Sequence, residues 1–277
     1  MLAAPQAFFP VRAPHFRFIA TGDASKNPIP RAWADGSIYR TQRFNAFHMI
    51  FPDGEVFFIR SVQAFVPQIK DPQLLANVRA FVGQEGRHGR EHSRFLDVLR
   101  THGYEVDSWV SQFRRRLEWG LGFFPASWSL AGTAAGEHFT AEFARIALDG
   151  RMDQHHPDLR GLFEWHSIEE LEHKAVAFDV MRQVGIGYGT RMMGLALASY
   201  TIVVAWYRAA AHLRRQDKLS RAELKRGRKE VRERKDLGLR HMLGAALRYA
   251  RPGFHPNDED DSALLATARN SLVLEPA

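Results

Sequence analysis

The two segments that decide the fold are Gln84-Glu-Gly-Arg-His-Gly-Arg-Glu-His92 and Trp165-His-Ser-Ile-Glu-Glu-Leu-Glu-His173. Each contains one Glu-x-x-His pair: Glu85 with His88, and Glu170 with His173. Side chains three or four residues apart share one face of an α-helix, so the two members of each pair point the same way on a predicted helix. The segments therefore predict two helices that each present a carboxylate and an imidazole to a metal.

A single glutamate precedes each pair by a similar interval. Glu55 lies 30 positions before Glu85, and Glu137 lies 33 positions before Glu170. The order Glu, Glu-x-x-His, Glu, Glu-x-x-His is the ligand set with which a four-helix bundle holds two metal ions between its helices. The order and the matched intervals predict a dinuclear metal centre.

Two further histidines fall on the predicted ligand faces. His166 lies four residues before Glu170, and His92 lies one turn after the first pair. We expect His92 to be a further ligand or a neighbour of one, and Glu169 to lie outside the metal's ligands, although Glu169 would replace Glu170 in a different helical phase. The predicted metal ligands are Glu55, Glu85, His88, Glu137, His166, Glu170 and His173.

The donor set limits the identity of the metal. The chain contains no cysteine, which excludes disulfides, thiolate metal sites and iron–sulfur clusters. Four buried carboxylates would be balanced by two divalent cations, and carboxylate with imidazole suits iron, manganese or zinc. We expect two divalent metal ions, with iron first and manganese or zinc as alternatives. The competing interpretation is a set of acidic helix faces paired with the basic residues Arg87, Arg90, Arg94 and Lys174.

The predicted fold is all-α, a ferritin-like four-helix bundle with an irregular N-terminal arm and additional C-terminal helices. Turn signals at Pro52-Asp53-Gly54 predict that the first bundle helix begins there. Three parts are expected: residues 1–50 as an arm packed on the bundle, 51–188 as the di-metal bundle, and 189–277 as an apolar helix, a basic helical segment and a tail in the same domain. The four ligand helices are expected at 55–65, 71–102, about 126–148 and about 156–184.

An uncharged stretch, residues 192–207, precedes a strongly basic segment at 214–240. A membrane crossing needs roughly 20 apolar residues, so a buried helix is the first expectation. A membrane-embedded or homodimer-forming helix stays open, because an apolar helix beside a basic segment suits peripheral contact with anionic lipid. No secretory signal is visible, so a cytoplasmic location is expected, with membrane association as an option. The basic segment lacks interleaved aromatics, and no nucleic acid is expected as a partner.

The two ligand segments resemble the bacterial family described as predicted metal-dependent hydrolases, from about residue 52 to 180. The spacing His166-x3-Glu170-x2-His173 is similar to the histidine-rich ligand helix of di-iron arylamine N-oxygenases, and the whole pattern resembles the ferritin-like di-iron oxygenases. By this resemblance all seven predicted residues would be ligands. The rest of the chain does not match the arylamine enzymes, so the resemblance implies nothing about their substrate.

Two functions follow as expectations. The first is a di-iron oxygenase or oxidase that activates O2 to oxidise a small organic, apolar substrate, using an electron donor, with Glu85 and Glu170 bridging the ions. The alternative is a dinuclear metal-dependent hydrolase with a bridging hydroxide. A metal store is disfavoured, because the additional histidines would saturate the site. No catalytic residue is expected beyond the metal ligands.

Overall fold

The fold is helical throughout the part of the chain that the computed structural model describes, residues 6–14, 16–20 and 27–271. Within these ranges the only extended pairing is an isolated bridge between Ala34 and His155. This confirms the predicted all-α bundle; its ferritin-like classification stays a prediction. The helices are α1 (Ile38–Gln63), α2 (Pro72–Thr101), α3 (Asp107–Phe123), α4 (Ala126–Ile146), α5 (Pro157–His173), α6 (Val176–Gln183), α7 (Tyr188–Gln216), α8 (Arg221–Glu233), α9 (Leu239–Tyr249) and α10 (Ser262–Ser271).

The four ligand-bearing helices α1, α2, α4 and α5 pack around one another, and α7 covers the outer side of α1 and α4. α1 and α2 run antiparallel, since His48 contacts His92 near one end while Gly89 approaches Glu55 further along. α3 lies against α1 and links α2 to α4. This arrangement brings the predicted ligand faces of four helices toward one interior.

The predicted start of the first bundle helix at Pro52 was wrong, because α1 already begins at Ile38. Ser37 caps its first turn by accepting a hydrogen bond from the Arg40 N–H, and Pro52 lies inside the helix. An interior proline costs a helix about 3 kcal/mol in isolation. Here the helix continues because its residues on both sides of the proline are buried in the core. α1 also crosses the expected boundary at residue 50; the division into three parts stays a prediction.

The other ligand helices follow the sequence expectations more closely. Asp71 caps α2 by accepting from the Gln73 N–H, with proline in the first turn, as the sequence predicted. The fourth helix is interrupted after His173, where α5 ends, and α6 begins three residues later at Val176, so the continuous helix expected at 156–184 was wrong. The interruption contains Lys174, whose ammonium group binds Asp261 near the C-terminus. This contact joins distant parts of the chain, so local sequence patterns do not predict it.

α7 contains the uncharged stretch. One face packs on the bundle, with Trp206 donating to the Arg43 carbonyl of α1 and Gly194 lying against the Ala131 backbone of α4. By length and composition alone α7 could cross a membrane, and it is the one helix of that kind among the described residues. Only 28% of its most apolar 18-residue stretch is buried. Membrane contact and homodimer formation stay predictions.

The described part of the N-terminal arm lies across α2 and α5. The Phe8 N–H donates to Asn77 of α2, and the buried Phe9 ring meets the His173 ring edge-on. Arg12 forms ion pairs with Glu169 and Glu172 of α5. These contacts place the arm directly over the helix faces that carry the predicted ligands.

Candidate metal centre

All seven predicted ligand side chains meet in the interior between α1, α2, α4 and α5. Every one is buried, the most exposed being Glu55 at 4%. They form two groups, and within each group the ligand atoms lie within 4.8 Å of one another. Cluster A contains Glu55, His88 and His166, and cluster B contains Glu85, Glu137, Glu170 and His173. The site thus offers two buried candidate metal positions.

Glu85 and Glu170 lie between the two clusters. Oε1 of Glu170 is 2.8 Å from Nε2 of His166 and 3.5 Å from Nδ1 of His88, both in cluster A. The same oxygen is 3.7 Å from Nε2 of His173 in cluster B. Glu85 is 3.1 Å from His173 through Oε1 and 3.9 Å from His88 through Oε2. Each carboxylate therefore reaches histidines of both clusters.

The two remaining carboxylates each serve one cluster. Oε1 of Glu55 lies 3.8 Å from Nε2 of His166, and Oε2 of Glu137 lies 3.2 Å from Nε2 of His173. Close helix packing fixes both. A Cβ on Gly89 would lie 3.6 Å from Oε2 of Glu55, and a Cβ on Gly136 would clash with the Phe58 ring at 2.5 Å. The glycines let neighbouring helices approach beside these ligands.

The nitrogen that each candidate histidine turns away from the clusters has its own hydrogen-bond partner. Nε2 of His88 lies 3.0 Å from Oε2 of Glu169, Nδ1 of His173 lies 2.8 Å from Oε1 of Gln84, and Nδ1 of His166 lies 2.7 Å from Nε2 of His92. Such partners hold the tautomer and the ring orientation of metal-binding histidines. His92 therefore contacts the candidate ligand His166 and belongs to neither cluster; its role beside the metal stays a prediction.

A chain of three buried histidines leads away from cluster A. Nδ1 of His92 lies 2.8 Å from Nδ1 of His48 on α1, and Nε2 of His92 contacts His166. If Nε2 of His166 binds a metal, its Nδ1–H must donate to His92, and the Nδ1–H of His92 must donate to His48. Metal binding would thus set the tautomer of all three rings.

The hydrogen-bond balance of the site fits a metal centre. Nine buried carboxylate and imidazole atoms of the seven predicted ligands make no hydrogen bond of acceptable geometry with the described residues. Leaving a buried polar group unpaired costs about 1–3 kcal/mol, so a cluster of nine signals a missing partner. The nine are both oxygens of Glu55, of Glu85 and of Glu137, together with Oε2 of Glu170, Nδ1 of His88 and Nε2 of His173.

The pKa values of the four clustered carboxylates also fit a cation-binding site. Burial raises the pKa of Glu55 well above its ordinary value, and the neighbouring carboxylates add to the effect. Burial, followed by the charge of Glu170, raises the pKa of Glu85. Burial also raises the pKa of Glu137 to about 8, although the charge of His173 opposes it. Burial acts to raise the pKa of Glu170 too, but the charge of His173 and hydrogen bonds from imidazoles hold it well below the ordinary value. Burial alone would lower the pKa of His173, but the charges of Glu137 and Glu170 raise it well above its ordinary value. Protons on the imidazoles thus offset part of the negative charge that bound divalent cations would balance.

The competing interpretation, in which basic side chains neutralise acidic helix faces, does not hold for these residues. Arg94 pairs with Glu91, and Lys174 pairs with Asp261. In the described part of the chain, neither Arg87 nor Arg90 forms an ion pair with any of the four clustered carboxylates. These four basic residues therefore leave the clustered carboxylates to the buried imidazoles or to a cation from solution.

A pocket of about 500 Å³ opens beside the clusters, between α1, α2 and α3. Glu55 and Glu85 form part of its lining, so the pocket reaches a carboxylate of each cluster. Its volume lies in the usual range for a small-molecule site, roughly 300–1,000 Å³. The remaining lining is a mixture of apolar and charged side chains: Pro52, Asp53, Val56, Phe57, Ile59, Arg60, Gly86, Gly89, Arg90, Ser93, Arg114, Leu117, Glu118 and Leu121.

The chain matches the family described as predicted metal-dependent hydrolase over residues 11–260, most of its 277 residues. The chain belongs to this family. The match confirms the family resemblance predicted from the two ligand segments and extends it toward both ends. No curated protein and no solved structure shows significant similarity to the chain. The resemblance to arylamine N-oxygenases stays a prediction.

Membership of the metal-dependent hydrolase family bears on both functions expected from the sequence. It agrees with metal dependence and supports the hydrolase alternative more directly than the oxygenase, which was the first expectation. The geometry brings together every predicted ligand of this family member, and it adds neighbours that sequence reasoning missed. Gln84 lies within the quoted motif and could have been found there, whereas His48 and Arg12 carry no local signal.

Proposed function

We propose that this protein is a dinuclear metal-dependent hydrolase. In this proposal cluster A and cluster B would each hold one divalent ion, and Glu85 and Glu170, which reach histidines of both clusters, would contribute to both positions. The observation that carries the proposal is the pocket, which brings a substrate-sized volume to one carboxylate of each cluster. Membership of the metal-dependent hydrolase family supports the reaction class.

Two bound divalent ions would supply Lewis acidity, activating water and polarising a carbonyl or phosphoryl oxygen of the substrate. The chain's own residues provide the geometry for the reaction. Water adds to the carbonyl carbon or phosphorus, the bond to the leaving oxygen or nitrogen breaks, and a proton passes to the leaving group. Phe57, Leu117 and Leu121 give the pocket apolar walls against which the substrate body can pack. Glu169, Gln84 and His92 keep the imidazoles oriented.

Hydrolysis of a panel of aryl esters, amides and phosphate esters tests the proposal, with the protein reconstituted separately with zinc, manganese and iron. We expect turnover with at least one metal, and its loss in Glu85→Ala. Glu91→Gln is the matched control, because Glu91 lies on the same helix and pairs with Arg94 outside both clusters. Stoichiometric metal with no hydrolysis of any ester, amide or phosphate ester would count against the hydrolase.

A di-iron oxygenase is the second candidate, and a specific observation favours it. The clusters combine three imidazoles with four carboxylates, a donor set that suits iron. In that case the protein would use O2 and an electron donor to oxidise an organic molecule in the same pocket. The test is an optical spectrum of the anaerobically reduced, iron-loaded protein before and after O2. A transient visible band with consumption of O2 would favour the oxygenase; an unchanged spectrum would favour the hydrolase.

A further inference from the structure

The pocket beside the metal clusters has an arginine toward each end. α1 and α2 run antiparallel across it, with Glu55 and Glu85 at the middle. Arg60 lies five residues beyond Glu55, and Arg90 lies five residues beyond Glu85. At a rise of about 1.5 Å per residue, each arginine lies about 7.5 Å along its helix from the glutamate on the same helix. Because the helices are antiparallel, the two arginines lie on opposite sides of the glutamates.

Neither arginine is neutralised by the protein. Arg60 and Arg90 are both exposed, and among the described residues neither forms an ion pair or a side-chain hydrogen bond. The third arginine of the pocket, Arg114, is already paired, with its Nε 2.7 Å from Asp53. Glu118 is the one acidic side chain of the lining that is neither a candidate ligand nor the partner of Arg114. The two free guanidinium groups therefore remain available to a ligand.

The rest of the lining adds an apolar requirement. Val56, Phe57 and Ile59 come from α1, and Leu117 and Leu121 come from α3. Guanidinium groups bind carboxylates and phosphates through paired hydrogen bonds, while apolar walls favour a hydrocarbon or aromatic body. The pocket thus combines anion recognition at its ends with apolar contacts beside the metal clusters.

We propose that the pocket selects substrates that carry an anionic group on an apolar body, held by Arg60 or Arg90 while the scissile bond lies over Glu55 and Glu85. The inference rests on the proposed hydrolase function for the presence of a scissile bond. Carboxylate and phosphate offer guanidinium the same chemistry, so either can be the anionic group.

Binding is measured by titration calorimetry on the zinc-loaded full chain, so the readout does not depend on turnover. The probes are phenylacetate, phenyl phosphate and the neutral phenylacetamide. We expect an anionic probe to bind more tightly than phenylacetamide, and Arg60→Gln or Arg90→Gln to weaken it about tenfold, as expected for loss of a charge-assisted pair. The anion that binds more tightly identifies the natural group as carboxylate or phosphate.

Arg79→Gln is the matched control, because Arg79 is an exposed arginine on the same helix as Arg90 and outside the pocket lining. It removes the same charge and should leave probe binding unchanged. Metal content is measured in every variant, because loss of zinc would also weaken a probe that binds zinc directly. Direct binding of the probe to zinc alone would not depend on either arginine. Equal affinity in Arg60→Gln, Arg90→Gln and Arg79→Gln would overturn the inference, as would no binding of either anion by the unaltered protein.

The same experiment separates this inference from the proposed function. Arginine-dependent binding without hydrolysis of any anionic ester, amide or phosphate ester would contradict the hydrolase and leave the anion site standing. Hydrolysis that favours neutral esters and ignores both arginines would support the hydrolase and contradict the anion site.

Discussion

Nε2 of His92 lies 2.7 Å from Nδ1 of His166, and both rings are buried between α1, α2 and α5. This contact leaves Nε2 of His166 facing Glu55 and Glu170. The hydrogen bond at Nδ1 thereby holds the His166 ring in the orientation that places Nε2 in cluster A. His92 acts as a positioning residue for a candidate ligand, and His48 in turn supports His92.

Replacement of His92 tests this positioning. His92→Phe keeps a ring but removes the acceptor for His166, so the metal affinity of cluster A should fall about 10- to 100-fold. His92→Gln should retain more affinity, because its amide oxygen can accept the same hydrogen bond. Competition with a calibrated chelator gives the affinities. A smaller loss in His92→Phe than in His92→Gln would mean that the ring merely fills space.

The two clusters should lose metal independently when a histidine specific to one of them is removed. His166→Ala deprives cluster A of one of its two imidazoles, so we expect the metal content to fall from two ions to one per chain. His173→Ala removes the only imidazole of cluster B and should likewise leave one ion. Elemental analysis with protein quantification measures both. Loss of both ions in His166→Ala would show that the clusters fill as one cooperative unit.

The arm should contribute to stability through Arg12. Its guanidinium pairs with Glu169 and Glu172, whose side chains are 0% and 1% exposed. Arg12→Ala should lower the free energy of unfolding by about 1–3 kcal/mol, because two buried carboxylates lose a charged partner. Arg100→Ala is the control: its partners Asp97 and Asp107 are exposed, so we expect a change within about 0.5 kcal/mol. Denaturant unfolding measures both, and equal effects would argue against a structural role for the arm.

Close packing of α7 on α4 gives a steric prediction. A Cβ at Gly194 would lie 2.3 Å from the Ala131 carbonyl carbon, whereas a Cβ at Gly132 would meet nothing within 4 Å. Gly194→Ala should therefore lower the free energy of unfolding by about 1–3 kcal/mol through overpacking. Gly132→Ala should leave it unchanged or raise it by up to about 1 kcal/mol, since alanine favours the helix. Thermal unfolding distinguishes the two, and a neutral Gly194→Ala would mean that α7 is not held against α4 as described.

The meeting of the seven candidate side chains could be predicted from sequence because helix geometry is local; their role as metal ligands stays a prediction. The spacing of Glu85 and His88 fixes their common face, and the order of the four segments fixes which faces meet. The start of α1 could not be predicted, because Pro52 is a strong local stop signal that burial on both sides overrides. The interruption after His173 likewise coincides with a contact from Asp261, far along the chain.

The neighbours of the candidate ligands were harder to predict than the grouping of the candidates themselves. His48 lies 44 residues from His92, and nothing in its own stretch indicates that the two rings meet. Arg12 is 157 residues from Glu169, in a proline-broken segment without periodicity. Both roles depend on tertiary packing, which a pattern of three- and four-residue intervals does not contain. Glu169 was expected outside the metal's ligands; it contacts His88 and lies in neither cluster, and its role stays a prediction.

The most direct test of the account is the metal content per chain of the unaltered protein and of Glu85→Ala after reconstitution, with helicity checked by circular dichroism. Glu85 reaches histidines of both clusters, so its loss should affect both ions. The account predicts two divalent ions per chain in the unaltered protein, fewer than one in Glu85→Ala, and helical folding in both. Two ions retained in Glu85→Ala, or no stoichiometric metal in the unaltered protein, would contradict the dinuclear centre.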